Sequence, residues 1–143
     1  MLSNTCKYAI RAVVYLSVFS TAQKRIGIKE VSEKLDIPSP FLGKILQSLV
    51  RKKILISTKG PHGGFSLGRP AEDISLMDIV EIVDGSDIFD TCLVRTTKCS
   101  DDEPCGIHDQ ITSVRKELKN FFFNQTIRDL STEFKRDSGR IRI

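Results

Sequence analysis

Three cysteines and one histidine lie within seventeen positions of this 143-residue chain, at Cys92, Cys99, Cys105 and His108. Thiolates and neutral imidazole are the usual soft ligands of zinc and of iron-sulfur clusters. Because three thiolates and one imidazole make a set of four ligands, this segment is able to enclose a metal centre without a distant residue. The residues between the four ligands are polar and charged, which indicates a loop rather than a core segment.

The same side chains allow four interpretations. We favour a 2Fe-2S cluster on the three cysteines and the histidine, because mixed Cys/His ligation is known cluster chemistry. The second is a cluster-free redox switch, in which Arg95 and Lys98 lower the pKa of a neighbouring thiol. The third is zinc, which is disfavoured because no two of these cysteines are separated by only two residues. The fourth is a set of thiols that bind nothing.

Length and hydropathy limit the class of protein. The chain suits one domain, or a small domain with an appendage. No apolar run approaches the ~18 residues of a membrane span, and the amino terminus does not resemble a signal peptide. We therefore expect a cytoplasmic protein without membrane contact. The cytosol keeps thiols reduced, so the four cysteines are expected to be ligands, redox groups or buried thiols rather than disulfides. Cys6, among apolar residues, is expected to be a small buried side chain, with a resolving thiol for a second subunit as the alternative.

The charges divide the chain into a basic and an acidic part. Residues 1–70 carry twelve lysines and arginines against three acids, a net charge of +9, whereas the remainder has a net charge of −5. Lys and Arg contacts to phosphates supply most non-specific affinity for nucleic acids. The asymmetry therefore predicts a polyanion, such as double-stranded DNA, as the partner of the amino-terminal part.

The apolar spacing in this basic part predicts three helices and a β-hairpin. Helices are expected over residues 3–19 and around 28–35. Ser39 and Pro40 then open a third helix, with Ser39 as its cap and a buried stripe from Phe41 to Val50. Two strands around the glycine-rich turn 60–64 follow it. A helix pair followed by a hairpin is typical of a winged helix-turn-helix.

This arrangement predicts which side chains contact DNA. The third helix is expected to enter the major groove, where Gln47 is able to pair with adenine through two hydrogen bonds. The hairpin is expected to act as a wing whose glycines allow a close approach to the groove. The candidate contacts are Ser39, Lys44, Gln47 and Arg51 on the helix and Lys59, His62 and Gly63 on the wing.

The pattern of the acidic part predicts a helix, then a loop, then a long helix. A capping box from Ser75 to Asp78 opens a helix that ends near Gly85. Beyond the cysteines, apolar residues between Ile111 and Phe122 recur at the spacing of a helix-helix seam. A second copy of the chain is the simplest partner for that seam, which predicts a homodimer suited to a palindromic operator. The alternative is a stripe that packs on the chain's own first helix.

The expected fold is mainly α with a small β-hairpin wing, a winged helix-turn-helix joined to a long carboxy-terminal dimerisation helix. We divide the chain into a winged domain (residues 1–84), a cysteine loop (85–108), a dimerisation helix (109–131) and a flexible tail (132–143).

These residues resemble the winged helix-turn-helix regulators typified by the cluster regulator IscR and the nitric-oxide sensor NsrR. The resemblance covers nearly the whole chain, and its most specific part is the wing string from Lys59 to Gly68. It implies a dimeric cytosolic transcription factor, usually a repressor, in which a cluster on the loop cysteines changes operator affinity. Cys92, Cys99 and Cys105 match the family's cluster thiolates, and His108 matches the histidine that completes the site in IscR-like members.

Three positions depart from the family pattern. Six residues separate Cys92 from Cys99, one more than in IscR. Lys7 stands where NsrR-like members supply an acidic ligand, which tells against that cluster type. Gly43 stands where IscR has an acidic side chain that helps to select the operator, so operator preference does not carry over.

Two rival classes follow from the same composition. A protein that docks on an enzyme through its acidic half would have no need of the +9 charge of residues 1–70. An enzyme or cluster carrier is disfavoured because the chain has no phosphate-binding loop, no dinucleotide fingerprint and only two histidines.

Overall fold

The computed structural model describes the backbone of residues 1–136 and the side chains of residues 1–133. Within this range the chain forms α-helices and one β-hairpin. The elements are α1 (Asn4–Phe19), α2 (Ile28–Leu35), α3 (Ser39–Arg51), β1 (Leu55–Thr58), β2 (Gly64–Leu67), α4 (Leu76–Val83), α5 (His108–Asn124) and α6 (Ile127–Arg136). The predicted fold class, mainly α with a hairpin wing, is confirmed. No helix in residues 1–136 is long and apolar enough to cross a bilayer.

Helix α1 lies at the centre of the fold. The Ser3 side chain caps it by accepting from the backbone N–H of Cys6. Ala12, Val13 and Leu16 are fully buried, and α1 packs against α3, α4 and α6. Burial of one large aliphatic side chain stabilises a fold by roughly 1.5–3 kcal/mol. The shared core therefore holds the winged domain to the carboxy-terminal helix α6.

A tight turn joins α2 to α3. Asp36 adopts the left-handed conformation that ends α2, and the Arg11 guanidinium donates to the carbonyl of Leu35 at 3.0 Å. Helix α3 begins at Ser39 itself, whose side chain makes no capping hydrogen bond, so the predicted cap role is wrong. The predicted buried stripe also needs one correction, since the Phe41 side chain is 39% exposed and packs edge-on against Tyr8.

The wing consists of the antiparallel strands β1 and β2, in which Leu55 lies opposite Leu67. Its turn requires glycine: a Cβ on Gly63 would lie 2.2 Å from the carbonyl oxygen of Thr58. Gly64 has a φ of +139° and lies against the backbone of Ile26, which forms a bridge to the returning strand. These contacts fix the hairpin to the body of the domain.

The predicted capping box of α4 is confirmed, because Ser75 and Asp78 exchange both hydrogen bonds. The segment predicted as one dimerisation helix is instead two helices, α5 and α6. The break occurs at Thr126, whose backbone N–H and hydroxyl donate to Asp129 at 2.9 and 2.7 Å. These hydrogen bonds lower the pKa of Asp129, with the backbone N–H as the larger cause.

The break lets α6 fold back on α1. Residues 132–136, predicted as part of a flexible tail, belong to α6, and residues 137–143 of that tail lie outside the described residues.

Candidate sensor loop and nucleic-acid interface

The cysteine loop leaves the winged domain after α4 and returns at the start of α5. A short 3-10 turn, Ser86–Phe89, opens it, and buried Phe89 packs on Phe122 of α5 with ring centroids 5.3 Å apart. Between residues 90 and 107 the only regular pairing is a single bridge from Thr91 to Lys98. The loop is thus attached at both ends, while its middle has few backbone constraints.

The three loop thiols line one cavity of about 470 Å³. Cys92 is buried, whereas Cys99 and Cys105 are half-buried, and all three are free thiols. The residues between the cysteines are exposed, as expected for a loop. The structure therefore brings together three side chains that the sequence spreads over fourteen positions.

The four candidate ligands form two pairs. The Cys105 side chain lies beside the Cys92 thiol and contributes to lowering its pKa. The Cys99 Sγ lies 3.4 Å from Nδ1 of His108. His108 lies in a second cavity of about 410 Å³, and Cys99 lines both cavities. In the described part of the chain, no group of three or more Cys, His, Asp or Glu side chains converges as a site for a single metal ion.

An arrangement of the ligands in two pairs suits a 2Fe-2S cluster better than an arrangement in which all four side chains point at one atom. Each iron of such a cluster takes two protein ligands in addition to the bridging sulfides. Cys92, Cys99 and Cys105 would hold such a cluster through sulfur, and His108 would hold it through an imidazole nitrogen. The donor set of three thiols and one imidazole therefore fits this cluster.

Backbone groups activate Cys92. The pKa of its thiol is lowered chiefly by the backbone N–H of Val94, followed by that of Arg95, which donates to Sγ at 3.3 Å. Hydrogen bonds to sulfur favour the thiolate, and the thiolate is the form that binds metal or attacks an oxidant. The predicted side-chain effects of Arg95 and Lys98 are not seen, because these side chains pair with Glu103 and Asp87 instead.

His108 is the first residue of α5 and one of few buried polar side chains. Its backbone N–H donates to the carbonyl of Cys105 at 2.9 Å, which ties the third cysteine to the helix start. Its Nε2 lies 2.9 Å from Oδ1 of Asp101. Sequence reasoning missed Asp101; the signal available was a carboxylate between the second and third cysteines.

Two basic residues one turn apart on α5 hold the loop just before Cys92. The Lys119 ammonium lies 2.6 Å from the Asp90 carboxylate, and the Arg115 guanidinium donates to the carbonyl of Thr91. The Asp90 carbonyl in turn accepts from the backbone N–H of Cys99 at 2.9 Å. A change in the loop is therefore transmitted to α5 through a small number of polar contacts.

Cys6 lies outside the loop site. Its side chain is fully buried in α1, as expected for a small core residue. Burial raises the pKa of its thiol to about 12, with smaller contributions from the nearby Asp84 carboxylate. A thiol of this kind is inert.

The predicted DNA-contact residues lie on α3 and on the wing. Lys44, Gln47 and Arg51 are exposed on α3, and Ser39 is half-buried at its first residue. On the wing, Lys59 and His62 are exposed, whereas Gly63 is constrained by its own turn. Among the described residues, the side chains of Lys44, Gln47, Arg51, Lys59 and His62 have no hydrogen-bond or ion-pair partner.

Residues 2–133 match the family model of Rrf2, described as an iron-dependent transcriptional regulator. An Aquifex aeolicus protein named as an HTH-type transcriptional regulator is 33% identical over 91% of this chain and 90% of its own length. The transcriptional regulator IscR of Vibrio parahaemolyticus is 24% identical over 92% of this chain and 77% of its own length. The chain therefore belongs to the Rrf2 family of transcriptional regulators.

Solved structures share the fold. The global cysteine regulator CymR of B. subtilis superposes with a TM-score of 0.76 at 19% identity, covering 93% of this chain and 97% of CymR. IscR of T. potens gives a TM-score of 0.70 at 18% identity, covering all of this chain and 91% of IscR. The resemblance predicted from the wing string is confirmed. The family and the named relatives are transcriptional regulators rather than enzymes, which also removes the enzyme rival.

Proposed function

We propose that this protein is a homodimeric DNA-binding repressor whose operator affinity depends on a 2Fe-2S cluster held by Cys92, Cys99, Cys105 and His108. The observation that carries the cluster proposal is the arrangement of these side chains as two ligand pairs, of which the thiols share one cavity. When bound, the cluster supplies a centre that iron supply, oxidants or nitric oxide are able to alter. The chain's own residues would hold it and transmit its presence.

The DNA surface is proposed on α3 and the wing. The exposed cations Lys44, Arg51 and Lys59 have no hydrogen-bond or ion-pair partner among the side chains described, so they are available for phosphates. Gln47 lies exposed in the middle of α3, where it would reach base edges in the major groove. The net charge of +9 on residues 1–70 supplies the long-range attraction.

The dimer is proposed along α5. Val114, Phe121 and Phe123 are each more than half exposed. Leu118 and Phe122, by contrast, pack against the chain's own core. The apolar residues of α5 thus serve two surfaces, one inside the chain and one available to a second copy. Inside the chain, α5 packs mainly against α4 rather than against the first helix, and its exposed apolar residues leave a surface for the proposed dimer.

The contacts before Cys92 suggest how the cluster would act. Ligation of Cys92 and Cys99 would fix the conformation of the segment that Lys119 and Arg115 hold against α5. In a dimer built on α5, a changed angle of that helix alters the spacing of the two α3 helices. The cluster would then shift the population towards one operator-binding geometry.

The test is anaerobic purification followed by iron and sulfide counts and an absorption spectrum. The wild type should contain two irons and two sulfides per chain and show visible charge-transfer bands. Cys99→Ala should lose both, and the matched control Cys6→Ala, which removes a thiol outside the loop, should keep both. A reconstituted wild type without bound iron would overturn the cluster proposal.

A second candidate is a cluster-free thiol switch, favoured by the direct Cys92–Cys105 contact and the lowered pKa of Cys92. Two-electron oxidation by a peroxide would join these two sulfurs and release their protons to water formed from the oxidant. One relative in fold, CymR of Staphylococcus aureus, has been solved in an oxidized form. Peroxide should then release the wild type from DNA but not a Cys92→Ala variant. Equal release of both proteins would rule out this switch.

A further inference from the structure

Resting on the proposed cluster, we infer that Asp101 is a positioning residue for His108. The Asp101 carboxylate accepts a hydrogen bond from Nε2–H and thereby leaves the unprotonated Nδ1 as the nitrogen that binds iron. The distance from Nε2 to Oδ1 of Asp101 is 2.9 Å. On the other side of the ring, Nδ1 faces the Cys99 thiol at 3.4 Å.

The burial of His108 supports these separate roles for its two ring nitrogens. The His108 side chain is 10% exposed, whereas the Asp101 carboxylate is 96% exposed. A buried N–H requires an acceptor, and among the described residues Asp101 is the only one that Nε2 contacts. Histidines that bind metal usually donate their other N–H to a carboxylate or carbonyl, which fixes both the tautomer and the ring orientation.

The neighbouring acids do not share this role. The Glu103 carboxylate pairs with Arg95 at 3.1 Å. The Asp102 side chain lines the thiol cavity and has no hydrogen-bond partner among the described residues. Of three acids within three positions, only Asp101 contacts the imidazole. Asp102 therefore provides a matched control of the same residue type.

The first test uses the cluster-free protein, so it does not depend on iron. NMR of protein with 15N-labelled histidine shows which ring nitrogen carries the proton. The chain has only two histidines, and exposed His62 serves as the internal reference. In the spectrum of the neutral imidazole, His108 should carry its proton on Nε2 and exchange it slowly with water.

Variants make the test specific. Asp101→Ala should give a faster-exchanging proton and a mixture of the two tautomers. Asp101→Asn keeps an acceptor oxygen and should behave like the wild type, as should the control Asp102→Ala. A wild-type proton on Nδ1, or an Asp101→Ala spectrum identical to that of the wild type, would overturn the inference.

The second test uses the reconstituted cluster. After reduction with dithionite, pulsed EPR of protein labelled with 15N at Nδ1 of histidine should detect coupling of that nitrogen to the cluster. Asp101→Ala should lose its cluster about 10-fold faster than the wild type or Asp101→Asn, the scale typical of lost outer-shell partners.

The outcomes separate the two proposals. A wild type that binds no iron would overturn the proposed function, and with it this role of Asp101. A wild type that binds the cluster, together with an Asp101→Ala variant of equal retention and equal 15N coupling, would overturn the role of Asp101 alone.

Discussion

The winged domain and the cysteine loop differ in what holds them together. In the winged domain, Leu42, Leu46 and Leu49 of α3 are fully buried against α1 and its neighbours. In the loop, polar contacts such as Lys119 to Asp90 hold a mostly exposed chain. Within residues 85–108, its only buried side chains are Phe89, Cys92 and His108. Apolar cores are densely packed and resist deformation. Polar loop contacts are weak individually, so the loop is able to change conformation while the winged domain stays folded.

The largest expected effect tests this difference in stability. Leu46→Ala removes a fully buried side chain and should lower the free energy of unfolding by about 2–5 kcal/mol. Cys99→Ala, at a half-buried loop position, should lower it by about 1 kcal/mol or less in the cluster-free protein. Urea denaturation followed by circular dichroism measures both. Equal losses would mean that the loop is part of the cooperative core.

The next effect concerns the surface that α5 leaves exposed. Val114→Asp places a charge on the proposed dimer seam without touching the chain's own core, because Val114 is 56% exposed. An unpaired charge buried by a symmetry mate costs several kcal/mol, so the variant should sediment as a monomer. Thr112→Asp, on the same helix and close to the histidine cavity, is the control. An intact Val114→Asp dimer would place the interface elsewhere.

DNA binding should respond to charge in the winged domain only. The double variant Lys44→Ala with Arg51→Ala should lower the log-log salt slope of operator binding by about 1.8, since each phosphate contact contributes about 0.9. The control is Lys116→Ala, an exposed cation on α5. Titration by fluorescence anisotropy at several salt concentrations measures the slope. An unchanged slope in the double variant would exclude α3 as the contact helix.

The Lys119–Asp90 ion pair should contribute little to stability but should be needed for the response of operator affinity to the cluster. Lys119→Ala removes a partly exposed ion pair that contributes at most about 1 kcal/mol. It should leave unfolding and cluster content nearly unchanged, yet reduce the difference in operator affinity between the cluster-bound and cluster-free forms. A Lys119→Ala protein that responds to the cluster like the wild type would show that α5 receives the signal by another route.

Local signals explain which elements were predictable. The Ser75–Asp78 capping box was found because both partners lie within one turn. The same pattern at Thr126–Asp129 was overlooked, since the apolar spacing runs through it and suggested a single helix. The exposure of Phe41 does not follow from the sequence. Helix periodicity predicts the face on which a side chain lies, but it does not show whether other residues pack over that face.

The sequence predicts the candidate ligands of the site but not the residues that hold those ligands in place. Cys92, Cys99, Cys105 and His108 are recognisable by residue type and spacing. Asp101 and the Lys119–Asp90 pair depend on how an irregular loop folds, and Lys119 and Asp90 are 29 positions apart. No periodicity marks such contacts, so only a structure reveals them.

The most direct test of regulation by the loop compares operator affinity in one anaerobic preparation with its cluster intact and after removal of the cluster. The wild type should show at least about a fivefold difference in Kd between the two forms, the lower end of usual allosteric coupling, and Cys99→Ala treated in the same way should show none. Equal affinities of the two wild-type forms, or an equal change in Cys99→Ala, would contradict regulation by the loop.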